Sequence, residues 1–459
     1  MLNLNCFKSC DIRGKISQQL TPIFSYNVAI AYAKIIKPKK IVIGHDARLS
    51  SPLLQEYFIK GLNISGVEVI DINLCGTEEI YYRCFSDYTI DGGIMITASH
   101  NPVDYNGIKM VGRGAKPISL NNQLALIRDH VQFNWIDNVL PKSHTKSKHT
   151  IDLDKTNYIK HLLSYINLSI LRPLKILADP GNGTAGLVMK QLERHLPFEI
   201  IYINEKPDGD FPNGLPNPMI IDNRTHIAAS VKKYKADLGI AWDGDFDRCF
   251  LFDEHGRFIE PYYLTGLLTK IFLTKYPGEK IIYDSRLTWN KIALAQTLGG
   301  LAVQSKVGHS FMKEIMRKEN AIYGGEVSSH HYFRDFGYCD SGMIVWLIVA
   351  ELISKSGQKL SSVIEPFRSS FQCSEEINYN TDKFEQIKEA LINYFRNKYI
   401  KIDFIDGISM EFSLWRFNMR KSNTEDLVRI NIETKDNKVS IENCLKKLQI
   451  IISQLTETL

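Results

Sequence analysis

The densest chemistry in the chain is Asp243-Gly244-Asp245-Phe246-Asp247-Arg248, three carboxylates at alternate positions. Such an oxygen donor set suits a hard divalent cation. Carboxylates converging to ~5 Å at an effective dielectric of ~20 repel by roughly 3 kcal/mol per pair, so a converged loop wants a cation. The alternative is three acidic groups splayed on one solvated turn. An EF-hand is excluded although Glu254 falls at loop position twelve: Arg248 stands where the turn glycine belongs, and apolar strands flank the loop.

Thr97-Ala98-Ser99-His100-Asn101-Pro102 follows another apolar run, with Asn106 and Lys109 just beyond. A serine at the carboxyl end of a strand in an open α/β sheet, near His100, Asn101 and Lys109, could be a nucleophile or phosphoryl carrier. A polar turn capped by Ser99 and Asn101 is the plainer reading. No G-x-S-x-G occurs, so a hydrolase elbow is excluded. In Gly324-Gly325-Glu326-Val327-Ser328-Ser329-His330-His331, Glu326 and Ser328 offer an acceptor and a donor to a vicinal diol. The adjacent histidines should point opposite ways in extended chain, which argues against a metal there. Arg420-Lys421-Ser422-Asn423-Thr424-Glu425 has capping-box spacing, yet the alternating Val428, Ile430 and Ile432 indicate a strand next. A cationic, hydroxyl-lined phosphate loop fits better.

One segment points elsewhere. Gly181-Asn182-Gly183-Thr184-Ala185-Gly186 follows a strand, with Glu205 after the next apolar run, which is the spacing of a dinucleotide fingerprint. It supports a rival, a nicotinamide-dependent oxidoreductase, but leaves the other four loops without a task.

These loops need elements to hold them. Ile41-Val42-Ile43, Ile176-Leu177-Ala178 and Ile281-Ile282-Tyr283 are short apolar runs, each closed by an aspartate-containing turn and a helix start. Each is followed by a second run that empties into one of the polar loops. The expected fold is α/β: three tandem mixed α/β sandwich-like domains, then a smaller α+β C-terminal domain. The expected boundaries are 1–146, 147–254, 255–370 and 371–459. In the last domain a helix is expected over 384–399, strands over 411–417 and 427–432, and a helix over 440–455.

Composition bounds the function class. The 459 residues are 44% hydrophobic and 23% charged, an ordinary globular balance. Lys+Arg 56 against Asp+Glu 51 leaves +5 without a dense basic block, which argues against nucleic acid. The longest apolar stretch, Met343 to Ala350, is far short of the ~20 residues of a membrane span. Eight cysteines without a C-x-x-C pair read as reduced thiols in a cytoplasmic protein.

From Phe7-Lys8-Ser9-Cys10-Asp11-Ile12-Arg13-Gly14 to the Arg420 loop, T-A-S-H-N-P, D-G-D-x-D-R, G-G-E-x-S and R-x-S-N-T-E occur in the order found in the α-D-phosphohexomutases. The chain resembles that family over nearly its whole length. The stretch His330 to Met343 is similar to its bacterial phosphomannomutase branch. The resemblance implies four domains whose loops meet in one cleft, Ser99 carried as phosphoserine, and Mg²⁺ held by that phosphate with Asp243, Asp245 and Asp247. It implies catalytic roles for Arg13, Lys109 and His309, with proton transfer the task of one or more of them. Glu326 and Ser328 would hold sugar hydroxyls, and Arg420, Ser422, Asn423 and Thr424 the phosphate not being transferred. Arg286 would bind a further phosphate; His100, Asn101, Arg248 and His330 would also contact substrate. The implied reaction interconverts mannose 6-phosphate and mannose 1-phosphate through a hexose 1,6-bisphosphate, which also serves as activator, and supplies GDP-mannose. A dual phosphomannomutase/phosphoglucomutase is the nearest alternative, a sugar-phosphate phosphatase a more distant one. Small sugar phosphates are the expected partners of a monomer or weak dimer, with neither nucleic acid nor membrane. Cys10 replaces the tyrosine usual before Asp-Ile-Arg-Gly, and Val327 and Ser329 vary the flanks of Glu326 and Ser328.

Overall fold

A computed structural model describes residues 4–139, 147–422, 427–436 and 438–456. The apolar runs form sheets buried on both faces, as near-continuous hydrophobic strands require. In the first sheet the strands lie in the order Ile12–Lys15, Tyr105–Gly112, Gly92–Ile96, Lys40–His45, Glu68–Leu74, His149–Ile151. Lys40–His45 pairs in parallel with Gly92–Ile96 and Glu68–Leu74, whereas Tyr105–Gly112 returns antiparallel beside Gly92–Ile96. The Ser99 segment is therefore the loop of a hairpin at the carboxyl end of a central strand. Ile41, Ile43, Ile94 and Ile96 are fully buried among helix side chains such as Val28, Phe58 and Leu62. Each contributes roughly 1.5–3 kcal/mol by leaving water.

The second sheet runs Phe258–Ile259, Cys249–Phe252, Leu238–Trp242, Lys175–Asp179, Glu199–Tyr202. Leu238–Trp242 is parallel to Lys175–Asp179 and antiparallel to Cys249–Phe252, with Trp242 opposite Cys249. The three aspartates thus sit in a second hairpin loop. In the third α/β segment Lys280–Asp284 lies in parallel between Leu301–Ser305 and Tyr323–Gly325. The C-terminal sheet is antiparallel in the order Phe371–Cys373, Leu427–Lys435, Trp415–Lys421, Ile408–Glu411, Lys401–Asp403. Helices Phe384–Tyr394 and Ile441–Thr456 close its core around Ile387, Leu391, Phe417, Ile430 and Leu448. Three tandem α/β segments followed by a smaller α+β sheet is the fold class expected above.

Two details differ. The strand expected over 411–417 is two strands, because Phe412 N–H donates to Trp415 O at 2.8 Å in a tight turn whose rings stack at 4.3 Å. The helix expected to reach 399 stops at Tyr394, and Asn397 turns the chain at a φ of 62°.

By packing, the elements fall into two units: the chain to Ile259 with His330–Ser361, and Glu260–Ser329 with Ser362–Leu459. The apolar stretch from Met343 is the core of helix Gly342–Ser356, capped by the Ser341 side chain, which accepts from Ile344 N–H at 3.2 Å. Among the described residues no helix is long and apolar enough to cross a membrane.

Candidate active site

The first unit brings together Arg13, Ser99, His100, Asn101, Lys109, Asp243, Asp245, Asp247, Arg248 and His330. Gly244 explains how the two hairpin loops approach: a Cβ there would lie 2.7 Å from the Ser99 carbonyl oxygen. Ser99 Oγ consequently donates to Asp243 Oδ2 at 2.6 Å, and Arg248 Nε donates to the same oxygen at 2.8 Å. Ser99 adopts a φ of 54°, a left-handed conformation that costs a non-glycine residue about 1–3 kcal/mol. Gly183, part of the dinucleotide-like fingerprint, meets the Gly244 carbonyl oxygen at 2.6 Å from where its Cβ would stand. Close packing against the aspartate loop accounts for that glycine without a dinucleotide.

The three aspartates converge. They are fully or nearly buried, and each offers an oxygen within 4.8 Å of the others. Lys109 Nζ answers their repulsion by donating to Asp245 Oδ2 and Asp247 Oδ2, both at 2.6 Å. Burial and the Asp245 and Asp247 charges act oppositely on this ammonium; the charges win and raise its pKa, so it stays protonated. For Asp245, burial and Asp247 push the carboxyl up, but Lys109 and the Thr77 hydroxyl bring it below the usual carboxylate range. Burial pushes Asp243 up to about 6 despite Arg248. Asp245 Oδ1 is buried without a hydrogen-bond partner among the described residues. An all-carboxylate donor set with an unsatisfied buried oxygen fits a hard divalent cation such as Mg²⁺.

Around this centre Arg13 donates from Nε to Asp11 Oδ2 at 2.8 Å and from Nη1 to Asn101 Oδ1 at 2.7 Å. His100 Nδ1 lies 3.1 Å from Ser99 Oγ and accepts from Arg248 Nη2. Burial, then the Arg248 and Arg13 charges, hold this imidazole well below its usual pKa, hence neutral. His330 Nε2 stands 3.6 Å from Asp247 Oδ1 and 3.8 Å from Asp340 Oδ2. The same Asp247, His330 and Asp340 have ligand atoms close enough to form a second candidate metal group. His331 is fully buried.

The second unit holds Arg286, His309, Glu326, Ser328, Arg420 and Ser422. Asp284 organises the Arg286 loop: Oδ2 accepts from Arg286 Nη2 and from Val327 N–H, both at 2.8 Å. Burial opposes ionisation there, but Arg286 and Lys291 hold the Asp284 carboxyl down at about 2. Arg286 Nη2 also reaches Ser328 Oγ at 3.3 Å and lies 3.5 Å from Glu326 Oε1. Glu326 Oε1 accepts from Gly308 N–H at 3.0 Å, which ties it to the start of helix His309–Glu319. Arg420 donates to Glu376 Oε2 at 2.6 Å, and Ser422 is buried beside it in sequence. Asn423 and Thr424 lie outside the described residues.

Reasoning from sequence missed several residues of this arrangement. Thr77 donates its hydroxyl to Asp245. Arg48, 1% exposed, donates to four carbonyl oxygens of the Ser99 loop, and Asp46 accepts from the Thr97 hydroxyl at 2.7 Å.

Four successive models of the phosphoglucomutase/phosphomannomutase family match the chain: α/β/α domain I over residues 4–132, domain II over 156–256, domain III over 260–370 and the C-terminal domain over 371–448. The phosphohexose mutases of Xanthomonas campestris pv. campestris are 47% identical over 451 residues, covering 98% of this chain and 100% of the relative. The chain belongs to this family. The phosphomannomutase of Escherichia coli K12 is 45% identical over 460 residues, covering 99% of this chain and all of that protein. The crystal structure of a family protein from Burkholderia thailandensis superposes with a TM-score of 0.88 at 26% identity, covering 100% of this chain and 99% of that one. Membership makes the protein an isomerase of the phosphomannomutase reaction class, an intramolecular phosphotransferase, and the oxidoreductase alternative falls.

Proposed function

We propose that the protein interconverts mannose 6-phosphate and mannose 1-phosphate, with Ser99 carrying a phosphoryl group and a hexose 1,6-bisphosphate linking two transfers. The observation that carries this reading is the buried Ser99 hydroxyl set 2.6 Å from Asp243 within a carboxylate cluster. In the first transfer the Ser99 Oγ–P bond breaks as the sugar hydroxyl, losing its proton, forms the new P–O bond. The second transfer returns the other phosphoryl to Ser99. Phosphoryl transfer demands positioning and charge neutralisation, so fixed cations are the main requirement. Arg13 and Lys109, held protonated by Asp11 and by the Asp245–Asp247 pair, serve as such charges. His309 is the remaining catalytic candidate, with proton transfer as its task, and His330 contacts the substrate. His100 and Asn101 shape the Ser99 loop, and Arg248 neutralises charge beside it.

Asp243, Asp245 and Asp247 would hold Mg²⁺ together with the Ser99 phosphate. When bound it supplies charge neutralisation on the transferring phosphoryl oxygens. In the second unit Glu326 and Ser328 bind sugar hydroxyls. Arg286, Arg420 and Ser422, with Asn423 and Thr424, bind phosphate. A hexose 1,6-bisphosphate acts as activator by restoring the phosphoserine. All eight cysteines are free thiols, which suits a cytoplasmic enzyme feeding GDP-mannose synthesis as a monomer or weak dimer.

A broader phosphomannomutase/phosphoglucomutase activity is the second reading, favoured by the relative called "phosphohexose mutases", which matches as well as those called phosphomannomutase. Phosphorus NMR of mannose 1-phosphate with Mg²⁺ and a trace of glucose 1,6-bisphosphate, beside a glucose 1-phosphate control, tests both. A 6-phosphate signal without inorganic phosphate is expected, and the two rates give the specificity. Inorganic phosphate alone would mean a phosphatase. Ser99→Ala should bind mannose 1-phosphate but turn it over at under a hundredth of the rate; a variant keeping most of its rate would remove Ser99 from the carrier role.

A further inference from the structure

Arg48 lies outside every chemical motif in the chain, yet its guanidinium organises the loop that bears Ser99. Nη2 donates to the carbonyl oxygens of Ser99 at 2.9 Å and Asn101 at 2.5 Å; Nη1 donates to those of Pro102 at 2.7 Å and Tyr105 at 3.0 Å. The remaining edge faces Asp46, whose Oδ2 is 3.3 Å from Nε. Asp46 is itself fixed: Oδ1 accepts from Ser51 Oγ at 2.6 Å and from Arg48 N–H at 3.0 Å, while Oδ2 accepts from Thr97 Oγ1 at 2.7 Å. Thr97 Oγ1 in turn accepts from Ser99 N–H at 2.8 Å. The Phe211 ring covers the guanidinium, with Cζ 5.4 Å from its centroid.

Both the carbonyl and the amide of Ser99 are therefore held by one buried frame. A hairpin loop normally gives its carbonyls to water. Here four converge on one planar donor, and the residue they surround keeps a left-handed φ of 54°. Strain of that kind persists only where the surroundings over-determine it. Lysine cannot replace this frame, because three donors on one nitrogen do not span two pairs of acceptors.

We infer that Arg48, with Asp46 and Thr97, is the positioning frame that holds Ser99 Oγ in line for phosphoryl transfer. The inference rests on Ser99 being the phosphoryl carrier. Arg48 touches neither phosphoryl group nor sugar, so its loss should alter the rate of transfer and not substrate affinity.

The test compares wild type, Arg48→Lys and Thr97→Val. Steady-state kinetics on mannose 1-phosphate are measured beside intact-mass determination of protein phosphorylation after incubation with glucose 1,6-bisphosphate. Wild-type protein that never gains a phosphoryl group would overturn the carrier reading itself. If wild type gains one, Arg48→Lys should lower kcat by about 10- to 100-fold with KM within twofold, the scale of an ångström misplacement. Thr97→Val should do the same to a smaller extent. A folded Arg48→Lys with wild-type kcat, or with raised KM and unchanged kcat, refutes the frame. If Arg48→Lys does not fold, Thr97→Val decides on the same two numbers.

Discussion

Replacing Lys109 by methionine should convert a lysine-held carboxylate pair into one held by metal. The stem and its packing stay, while the ammonium 2.6 Å from both Asp245 Oδ2 and Asp247 Oδ2 disappears. The gross attraction lost is large, about 6 kcal/mol per contact at an effective dielectric of ~20, but the ammonium's own desolvation cost goes with it. Protonation sets a firmer ceiling. At pH 7 the pair escapes repulsion once one carboxyl takes a proton, which costs about 4 kcal/mol from an ordinary aspartate pKa. At pH 5 the same escape costs only about 1.5 kcal/mol. In the wild type Asp245 is held below the usual range, so its contribution is complete above the unfolded pKa and is lost only as pH falls through the folded value. In the variant the sign reverses: one carboxyl is raised, and stability falls as pH rises from about 4 towards 7. Urea unfolding followed by circular dichroism at pH 5 and pH 7, with and without MgCl₂, measures this. Without metal, Lys109→Met should lose up to about 4 kcal/mol at pH 7 and much less at pH 5, with MgCl₂ restoring most of the difference at pH 7. Equal losses at both pH values, or wild-type stability without metal at pH 7, would refute the reasoning.

Gly244→Ala should separate the two hairpin loops, since its Cβ would meet the Ser99 carbonyl oxygen at 2.7 Å and neither atom is a flexible side-chain end. A stability loss of about 1–3 kcal/mol is expected in urea titration, with kcat down at least about tenfold in the phosphorus NMR assay. Lys291 is fully buried, and its Nζ makes no hydrogen bond among the described residues. Burial, reinforced by Arg286 and Arg416 and only partly offset by Asp284 and Glu433, lowers its pKa from 10.5 to about 8. Between those values the unfolded chain binds the extra proton, so wild-type stability should rise with pH across that window. Lys291→Met should abolish the rise and be more stable than wild type at pH 7, both read from unfolding midpoints between pH 7 and pH 10.

What the sequence disclosed follows from how local each signal is. The aspartate loop and the Ser99 loop are legible because their chemistry lies within six residues, bounded by apolar runs that mark strand ends. The Arg48 frame is not, because its acceptors are backbone carbonyls 51 to 57 residues away and a carbonyl leaves no mark in a side-chain pattern. Thr77 escaped for the same reason, with its partner Asp245 168 residues distant. The turn at Phe412 was hidden because apolar alternation continues through it, with neither glycine nor proline to break the pattern. The run from Met343 showed only that it is too short for a membrane span; that it forms the buried helix Gly342–Ser356 came from the structure. Its packing with the first unit depends on contacts that hydrophobic periodicity cannot encode.

The charge balance around Ser99 links the proposed phosphoryl group to the cation. Arg13, Lys109 and Arg248 face Asp11, Asp243, Asp245 and Asp247, leaving the buried cluster one positive charge short of balance. A phosphoryl group on Ser99 would add about 1.5 to 2 negative charges to that deficit. In a setting where each close like-charge pair costs several kcal/mol, no further side-chain cation is at hand in the hairpin loops to absorb it. A divalent ion on the three aspartates returns the cluster nearly to its starting balance. On the proposed reading, the lysine that bridges Asp245 and Asp247 would act as a placeholder for part of that charge, keeping the carboxylates convergent for a metal that binds with the phosphoryl group.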